Sequence, residues 1–182
     1  MFPVNVPNVL TVLRILLVPV LVVALLGETP NGDLLAAAVF VVASLTDLLD
    51  GYLARSRNAV TTFGKLMDPI ADKLLIIAAL VSLVSLDRLA AWVAMVIIAR
   101  EFAVTALRMA ATQQGVVVQA SLFGKAKTCL QIGAVLALIV AGDPSPAWVD
   151  ALVYATVAVT VASGVDYFFG VRRRLGELSE TA

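Results

Sequence analysis

Residues 47–72 read DLLDGYLARSRNAVTTFGKLMDPIAD and carry four carboxylates, Asp47, Asp50, Asp68 and Asp72. The whole chain is 61% hydrophobic, so this stretch is the polar exception within it. A charged side chain at the centre of a bilayer costs roughly 2.5–3.5 kcal/mol, and such residues are rare and usually functional. Four negative charges also repel one another. A bound divalent cation would offset both costs, and the stretch therefore predicts a cation site.

The composition predicts an all-α integral membrane protein. Mean hydropathy is +1.00 and only 14% of the residues are charged. The formal net charge is zero, and we expect no nucleic-acid partner. The chain has no histidine, so acid–base chemistry near neutral pH falls to carboxylates, lysine, tyrosine or water. A metal site without histidine must be rich in oxygen ligands, which favours Mg²⁺, Mn²⁺ or Ca²⁺ over Zn²⁺.

Apolar stretches, separated by Gly, Pro, Asn and Asp, predict six transmembrane helices in a single domain, residues 1–182. Each is close to the roughly 20 residues that cross a hydrocarbon core. No positive charge precedes the first stretch, so we expect a membrane helix there and no cleaved leader. The stretches cover about residues 9–27, 34–57, 69–86, 89–108, 119–141 and 147–171.

The polar residues predict the orientation of these helices. Each helix is polar at one end, and because consecutive helices alternate in direction, all polar ends fall on one side and form a polar cavity there. Of the 13 lysines and arginines, all but Arg88 lie on that side. Positively charged loops stay in the cytoplasm. We therefore expect both termini and the cavity to face the cytoplasm, in a bacterial-type inner membrane.

The spacing of the carboxylates fits two helices joined by a loop. Asp47 and Asp50 share one helical face, and Asp68 and Asp72 lie one turn apart on the next helix. We expect residues 56–65 to form the connection, so that both pairs converge at the membrane boundary. The alternative is a set of structural salt bridges with the nearby basic residues, which are Arg55, Arg57, Lys65 and Lys73.

The pattern D-x2-D-G-x2-A-R-x8-G-x3-D-x3-D resembles the signature of the CDP-alcohol phosphotransferases, and every fixed position is filled. A motif with this many specified residues is far more specific than a short one. Members of the family join a CDP-linked group to an alcohol and release CMP. The resemblance implies a six-helix membrane fold, usually a homodimer, with a divalent-metal site facing the cytoplasm.

The resemblance also implies roles for individual residues. Two Mg²⁺ or Mn²⁺ ions would be held by Asp47, Asp50 and Asp68, with Asp72 as the general base that also touches metal. Contacts to the CDP-lipid would come from Gly51, Arg55, Thr61 and Gly64. A polar strip on the first helix also favours a role at the nucleotide or metal edge, with a snorkelling helix start as the alternative; it comprises Asn8, Thr11 and Arg14.

Three further segments, at Pro7 to Arg14, Arg100 to Arg108 and Gly124 to Thr128, resemble the phosphatidylglycerophosphate synthases within this family. Together with the aspartate motif the resemblance covers residues 3 to about 170. It implies CDP-diacylglycerol as donor and glycerol 3-phosphate as acceptor. A phosphate-bearing acceptor needs cations, and those expected to bind it are Arg100, Arg108 and Lys125.

Several residues near these cations also have structural interpretations. Arg108 could pair with Glu101, which lies seven residues before it on the same helical face. Lys127 is expected to be structural, either snorkelling at the membrane interface or forming an ion pair. Tyr167 fits an interfacial aromatic belt, and Asp166 is expected to pair with an arginine or lysine.

Two kinds of alternative function stay open at this point. The same chemistry could use inositol phosphate or phosphatidylglycerol as acceptor, and the cations argue only for a phosphorylated one. A cation transporter could instead use the aspartates as its ion site, and would need a polar path to both membrane faces. The far half of every helix is almost without polar residues, which favours an enzyme at the interface.

Overall fold

In a computed structural model, the described part of the chain folds into six α-helices and contains no strand. The structure describes residues 6–27, 29–57, 62–114 and 122–180. It gives the backbone only for residues 6–8, 47–57, 62–69, 72, 122, 123, 125 and 175–180. The helices are α1 (Val6–Leu26), α2 (Gly32–Arg57), α3 (Thr62–Ser85), α4 (Ala91–Gln113), α5 (Leu122–Ala141) and α6 (Ala147–Glu180).

The number of helices agrees with the apolar stretches, but three helix ends do not. Helix α3 begins at Thr62, seven residues before the apolar stretch, and α6 continues to Glu180, nine residues beyond Val171. Helix α4 likewise runs on to Gln113. Apolar character marks the part of a helix that lipid or protein can cover, and these helices continue into polar sequence. The expected connection over residues 56–65 is therefore wrong, because only residues 58–61 separate the two helices and these lie outside the described part.

The chain divides into two compact units. The first comprises Met1–Ala90 and Val135–Ser145, and the second comprises Ala91–Ala134 and Pro146–Ala182. Helix α5 contributes its first part to the second unit and its last part to the first. The sequence did not indicate this division, since the apolar stretches are evenly spaced and no linker separates them.

The first unit is built around α1, which packs against both α2 and α3. The buried residues of α1 follow one another at helical spacing, in the order Thr11, Arg14, Leu21, Ala24 and Leu25. They include two polar side chains at the start and only apolar ones at the end. The buried face of α1 is therefore polar at its start and apolar at its end.

The second unit packs α4 against α6. The buried face of α6 advances in steps of three or four residues and comprises Val149, Val153, Thr156, Thr160, Ser163, Tyr167 and Val171. Four of these seven side chains carry a hydroxyl group. The interior of this unit is therefore lined along α6 by polar groups that need hydrogen-bond partners.

Many hydroxyl groups find a partner within their own helix. Thr156 Oγ1, for example, donates to the Leu152 carbonyl at 2.8 Å, one turn earlier. Equivalent bonds are made by Thr46 to Ala43 (2.7 Å), Thr105 to Glu101 (2.7 Å), Thr112 to Arg108 (2.8 Å), Thr128 to Gly124 (3.1 Å) and Ser163 to Thr160 (3.0 Å). Such bonds satisfy a side chain without help from another helix.

An ion pair joins the start of α2 to the loop after α3 in the first unit. Arg88 Nη1 donates to Asp33 Oδ1 at 2.7 Å, and the two side chains are 16% and 40% exposed. They flank a cavity of about 480 Å³ whose walls include Leu25, Leu34 and Val140. Because the pair links the start of α2 to the loop after α3, it fixes the end of the unit opposite to the aspartates along these helices.

The exterior of both units is apolar. Large side chains such as Val23 (71% exposed), Leu34 (71%) and Met95 (70%) point outward, which is not typical of a water-soluble surface. Within the described residues, two helical segments are long and apolar enough to cross a membrane, Val9–Leu26 and Ala147–Arg174. Shorter apolar segments occupy Gly32–Thr46, Lys73–Ser85 and Ala126–Ala141. Six helices are confirmed, whereas six membrane crossings stay a prediction.

Candidate functional site

The aspartates of the signature fall on two consecutive helices of the first unit. Asp47 and Asp50 lie in α2, and Asp68 and Asp72 lie in α3. Their side chains lie outside the described part, as does that of Arg55, and Gly51 and Gly64 are described by their backbone alone. The metal geometry and the role of Asp72 therefore stay predictions.

The polar strip on α1 faces the interior of the first unit. Thr11 is 0% exposed and Arg14 is 1% exposed. A buried arginine needs paired or hydrogen-bonded surroundings, and α1 packs against the two helices that carry the aspartates. This burial disfavours the snorkelling helix start. Contact with the nucleotide or metal stays a prediction, and the side chain of Asn8 lies outside the described part.

Arg100 occupies the polar interior of the second unit. Its Nη2 donates to Ser163 Oγ at 2.9 Å, and its Nη1 lies 3.4 Å from Glu101 Oε1. The side chain is 15% exposed. The buried Nε has no hydrogen-bond partner within the described residues. Because an unmet buried donor is costly, a hydrogen-bond acceptor that reached this buried edge would stabilise it.

Glu101 pairs with residues other than the one expected from its spacing. Its Oε1 accepts a hydrogen bond from Lys127 Nζ on α5, and both side chains are largely buried. The same oxygen faces Arg100. The suggested pair between Glu101 and Arg108 is therefore wrong, because Glu101 lies on the buried face of α4, where α5 brings a lysine to it.

Arg108 instead lies over an aromatic ring. Its guanidinium carbon is 5.6 Å from the ring centroid of Tyr167 on α6, which is 8% exposed. A cation over the face of a tyrosine is attracted by the ring. The interpretation of Tyr167 as a belt residue is therefore wrong, because its ring is buried within the second unit. Asp166 is exposed and forms no ion pair with a described residue, contrary to expectation.

Lys125, the third expected acceptor ligand, lies in α5 two residues before Lys127. Its side chain lies outside the described part. Thr61 lies wholly outside it. The second unit thus holds all three expected acceptor cations on α4 and α5, and the structure describes the contacts of the two arginines.

Some residues around Arg100 were not anticipated from the sequence. Ser163 accepts from it, and a Cβ atom on the adjacent Gly164 would lie 3.3 Å from Arg100 Cγ. Elsewhere in the second unit, Gln131 is 3% exposed, and its Oε1 has no partner within the described residues. The residues on α6 could have been identified from their spacing, because hydroxyl-bearing residues recur there at intervals of three and four.

The arrangement in the second unit can bind an anion. Arg100, Glu101 and Lys127 together carry one net positive charge in a largely buried setting, where charges are less screened than in water. The planar fork of arginine matches phosphate oxygens. Arg108 adds a further cation on the same helix. The site is therefore suited to a phosphate-bearing ligand.

Comparison with known proteins gives the family. The model of the CDP-alcohol phosphatidyltransferase family matches residues 4–162. The chain belongs to this family. The match includes the aspartate motif, Arg100, Arg108 and Lys125, and it confirms the resemblance drawn from the signature. Family membership also favours a phosphatidyltransferase over a cation transporter.

Individual relatives are similar over nearly the whole chain. A protein of Bacillus subtilis (strain 168) named CDP-diacylglycerol–glycerol-3-phosphate 3-phosphatidyltransferase is 44% identical, over 90% of this chain and 93% of its own. A probable phosphatidylglycerophosphate synthase of Mycobacterium tuberculosis (strain H37Rv) is 42% identical, over 98% and 87%. A Rickettsia felis protein with the same name as the first is 37% identical, over 90% and 93%.

Proposed function

We propose that this phosphatidyltransferase transfers a phosphatidyl group from CDP-diacylglycerol to sn-glycerol 3-phosphate. The products are phosphatidylglycerophosphate and CMP, so the enzyme serves phospholipid biosynthesis. The names of the relatives support the choice of substrates. The observation in the structure that carries it is Arg100, a largely buried guanidinium with an unmet donor inside a site of net positive charge. A neutral alcohol would leave that donor and that charge unmatched.

The aspartates hold the metal in this proposal. Asp47, Asp50, Asp68 and Asp72 form an all-oxygen donor set of the kind that Mg²⁺ and Mn²⁺ prefer. When bound, one or two such ions neutralise the pyrophosphate of the CDP-lipid and the charge that grows on CMP as it leaves.

Asp72 acts as the general base. It accepts the proton of the glycerol 3-phosphate hydroxyl, whose oxygen forms a bond to the phosphatidyl phosphorus. The phosphoanhydride bond to CMP then breaks, and CMP keeps the electron pair. In a chain without histidine, a carboxylate beside the metal is the natural proton acceptor.

The CDP-lipid is bound by residues of the first unit. Gly51 and Gly64 give access to the backbone, Arg55 offers a planar fork to phosphate oxygens, and Thr61 offers a hydroxyl. The α1 strip of Asn8, Thr11 and Arg14 borders the nucleotide or the metal. The burial of Arg14 supports this, because a cation in that interior is well placed to balance carboxylates.

The acceptor phosphate is bound by Arg100, Arg108 and Lys125. Arg100 supplies its Nε and the remaining N–H groups of its fork. Arg108 is held over the Tyr167 ring, which orients it without consuming its donors. Inositol phosphate could use the same cations, so the acceptor is the part of the proposal that needs a direct test.

The enzyme is a multi-pass protein of the bacterial cytoplasmic membrane in this proposal. Six helices, an apolar exterior and basic residues concentrated at one set of helix ends support it. Both termini and the active site face the cytoplasm, which supplies glycerol 3-phosphate. The protein works as a homodimer, as the family resemblance implies.

An acceptor screen tests the proposal. Purified protein in detergent receives CDP-diacylglycerol and Mg²⁺ or Mn²⁺, with either glycerol 3-phosphate or inositol phosphate, and CMP release is measured. Turnover with glycerol 3-phosphate that EDTA abolishes is the expected result. Turnover with inositol phosphate alone would overturn the choice of acceptor.

A pair of variants tests the base. Asp72→Asn should nearly abolish turnover while CDP-diacylglycerol binding persists. Asp166→Asn is the matched control, because this carboxylate is exposed and forms no ion pair with a described residue. Turnover of Asp72→Asn near the wild-type rate would exclude Asp72 as the base.

A further inference from the structure

We infer that Lys127 is a positioning residue that sets the charge of the acceptor site, and that Ser163 and Gly164 set the orientation of Arg100 within it. Lys127 takes up the negative charge of Glu101, so that Arg100 keeps its positive charge for the acceptor phosphate. This inference rests on the proposed function of Arg100 as a phosphate ligand. It assigns no direct contact with the substrate to Lys127, Ser163 or Gly164.

Glu101 is the reason that Arg100 needs a second cation beside it. It follows Arg100 directly in the sequence, and its Oε1 lies 3.4 Å from Arg100 Nη1. A carboxylate at that distance, left alone, would neutralise the arginine and repel an incoming phosphate. Lys127 Nζ contacts the same oxygen. The charge of Glu101 is therefore not left to Arg100 alone, and the three residues keep one net positive charge.

Burial makes this charge balance effective. The side chains of Lys127 and Glu101 are 6% and 15% exposed, and that of Arg100 is 15% exposed. Charges in such surroundings interact through an effective dielectric well below that of water, and dissolved salt screens them little. Removing the positive charge of Lys127 therefore weakens the attraction between the site and a phosphate bound at Arg100.

The orientation of Arg100 is set from α6. Ser163 Oγ donates its hydrogen to the Thr160 carbonyl at 3.0 Å, so its lone pairs are left to accept from Arg100 Nη2 at 2.9 Å. The next residue, Gly164, leaves space for the stem of the arginine, because a Cβ there would lie 3.3 Å from Arg100 Cγ. Helix α6 thus holds one edge of the guanidinium and leaves the Nε edge without a described partner.

Charge variants test the inference. Lys127→Met changes the net charge of the three residues from +1 to 0, Glu101→Gln raises it to +2, and the double variant restores +1. We expect the KM for glycerol 3-phosphate to rise on the order of tenfold in Lys127→Met. It should return to within about threefold of wild type in the double variant and should not rise in Glu101→Gln. The KM for CDP-diacylglycerol should stay unchanged in all three.

Matched controls separate this role from a structural one. Arg172→Gln removes a positive charge from an exposed position on α6 and should leave both KM values unchanged. Thermal unfolding in detergent reports whether each variant folds. An ion pair that only supports the fold would change the unfolding temperature of Lys127→Met without a selective rise in the acceptor KM.

Several outcomes would overturn the inference. An unchanged acceptor KM in a folded Lys127→Met variant would do so, as would a double variant as impaired as the single one. Should Lys127→Met fail to fold, Glu101→Gln decides alone, because an acceptor KM more than about threefold above wild type would contradict the charge argument. Wild-type turnover is measured first. If the wild type shows no turnover with glycerol 3-phosphate, the proposed function is refuted. If the wild type turns over and the variants give the contrary results above, only the inference is refuted.

Discussion

Replacing Arg100 by lysine separates the charge of the acceptor site from its hydrogen-bond geometry. Lysine keeps the positive charge, but its three donors share one nitrogen, so it lacks the planar fork that offers separate edges to Ser163 and to a phosphate. Arg100 makes the first of these contacts at 2.9 Å, and its Nε is the donor without a described partner. The substitution therefore removes a defined part of the binding energy and leaves the electrostatic part in place.

The size of the effect follows from the bonds at stake. A hydrogen bond to a charged group contributes about 1.5–3 kcal/mol, and 1.4 kcal/mol corresponds to a tenfold change. Loss of one such bond to the acceptor predicts a fall in kcat/KM for glycerol 3-phosphate of about 10-fold to 100-fold. Most of the change should appear in KM, because the bond holds substrate and transition state alike.

The fold should survive this substitution. Glu101 keeps Lys127 as its partner, and Ser163 keeps its bond to the Thr160 carbonyl, so no described charge is left buried alone. Stability should change by no more than about 1–2 kcal/mol.

The assay is CMP release from CDP-diacylglycerol at varied glycerol 3-phosphate, with thermal unfolding measured in parallel. Arg172→Lys is the control, since it makes the same exchange at an exposed position. If Arg100→Lys keeps kcat/KM within about threefold of wild type, the fork does not bind the phosphate and the reasoning fails.

Other substitutions probe single contacts. Gly164→Ala should raise the acceptor KM about twofold to fivefold, because its Cβ would press on Arg100 Cγ at 3.3 Å; an unchanged KM would contradict this packing. Gly133→Ala, in α5 with no neighbour within 4 Å of its Cβ, should stabilise the fold by about 0.5–1 kcal/mol in thermal unfolding, and destabilisation would show an unseen contact. Asp33→Asn should lower the free energy of unfolding by up to about 1 kcal/mol, because it weakens the bond from Arg88. Both KM values should stay unaltered, and a shift in either one would show that this ion pair affects catalysis.

The helices were predictable because their apolar stretches and the Gly, Pro, Asn and Asp between them are local signals. The residues at which the helices end were not predictable. Thr62 to Asp68 is polar enough to resemble a loop, yet the backbone there is helical. Hydropathy detects where a helix is covered by apolar surroundings, and a helix that continues beyond them gives no such signal.

The side chains around Arg100 were also only partly predictable from the sequence. Periodicity on α4 put Glu101 on one face with Arg108, a local partner. The actual partner, Lys127, is 26 residues away on α5, and only tertiary packing brings it there. In contrast, the polar face of α6 could have been found from the sequence, because Thr156, Thr160 and Ser163 follow helical spacing.

The way in which polar groups are satisfied has a consequence for assembly in a membrane. A hydroxyl group that bonds to a carbonyl of its own helix, as at Thr156 and Thr105, needs no second helix to satisfy it in lipid. Glu101 on α4 differs, because its charge is balanced by Lys127 on a helix synthesised later. If α4 crosses the membrane, as the sequence predicts, it carries this negative charge before α5 is made, with Arg100 as its neighbouring cation. On that prediction, the stable insertion of α4 depends on the synthesis of α5.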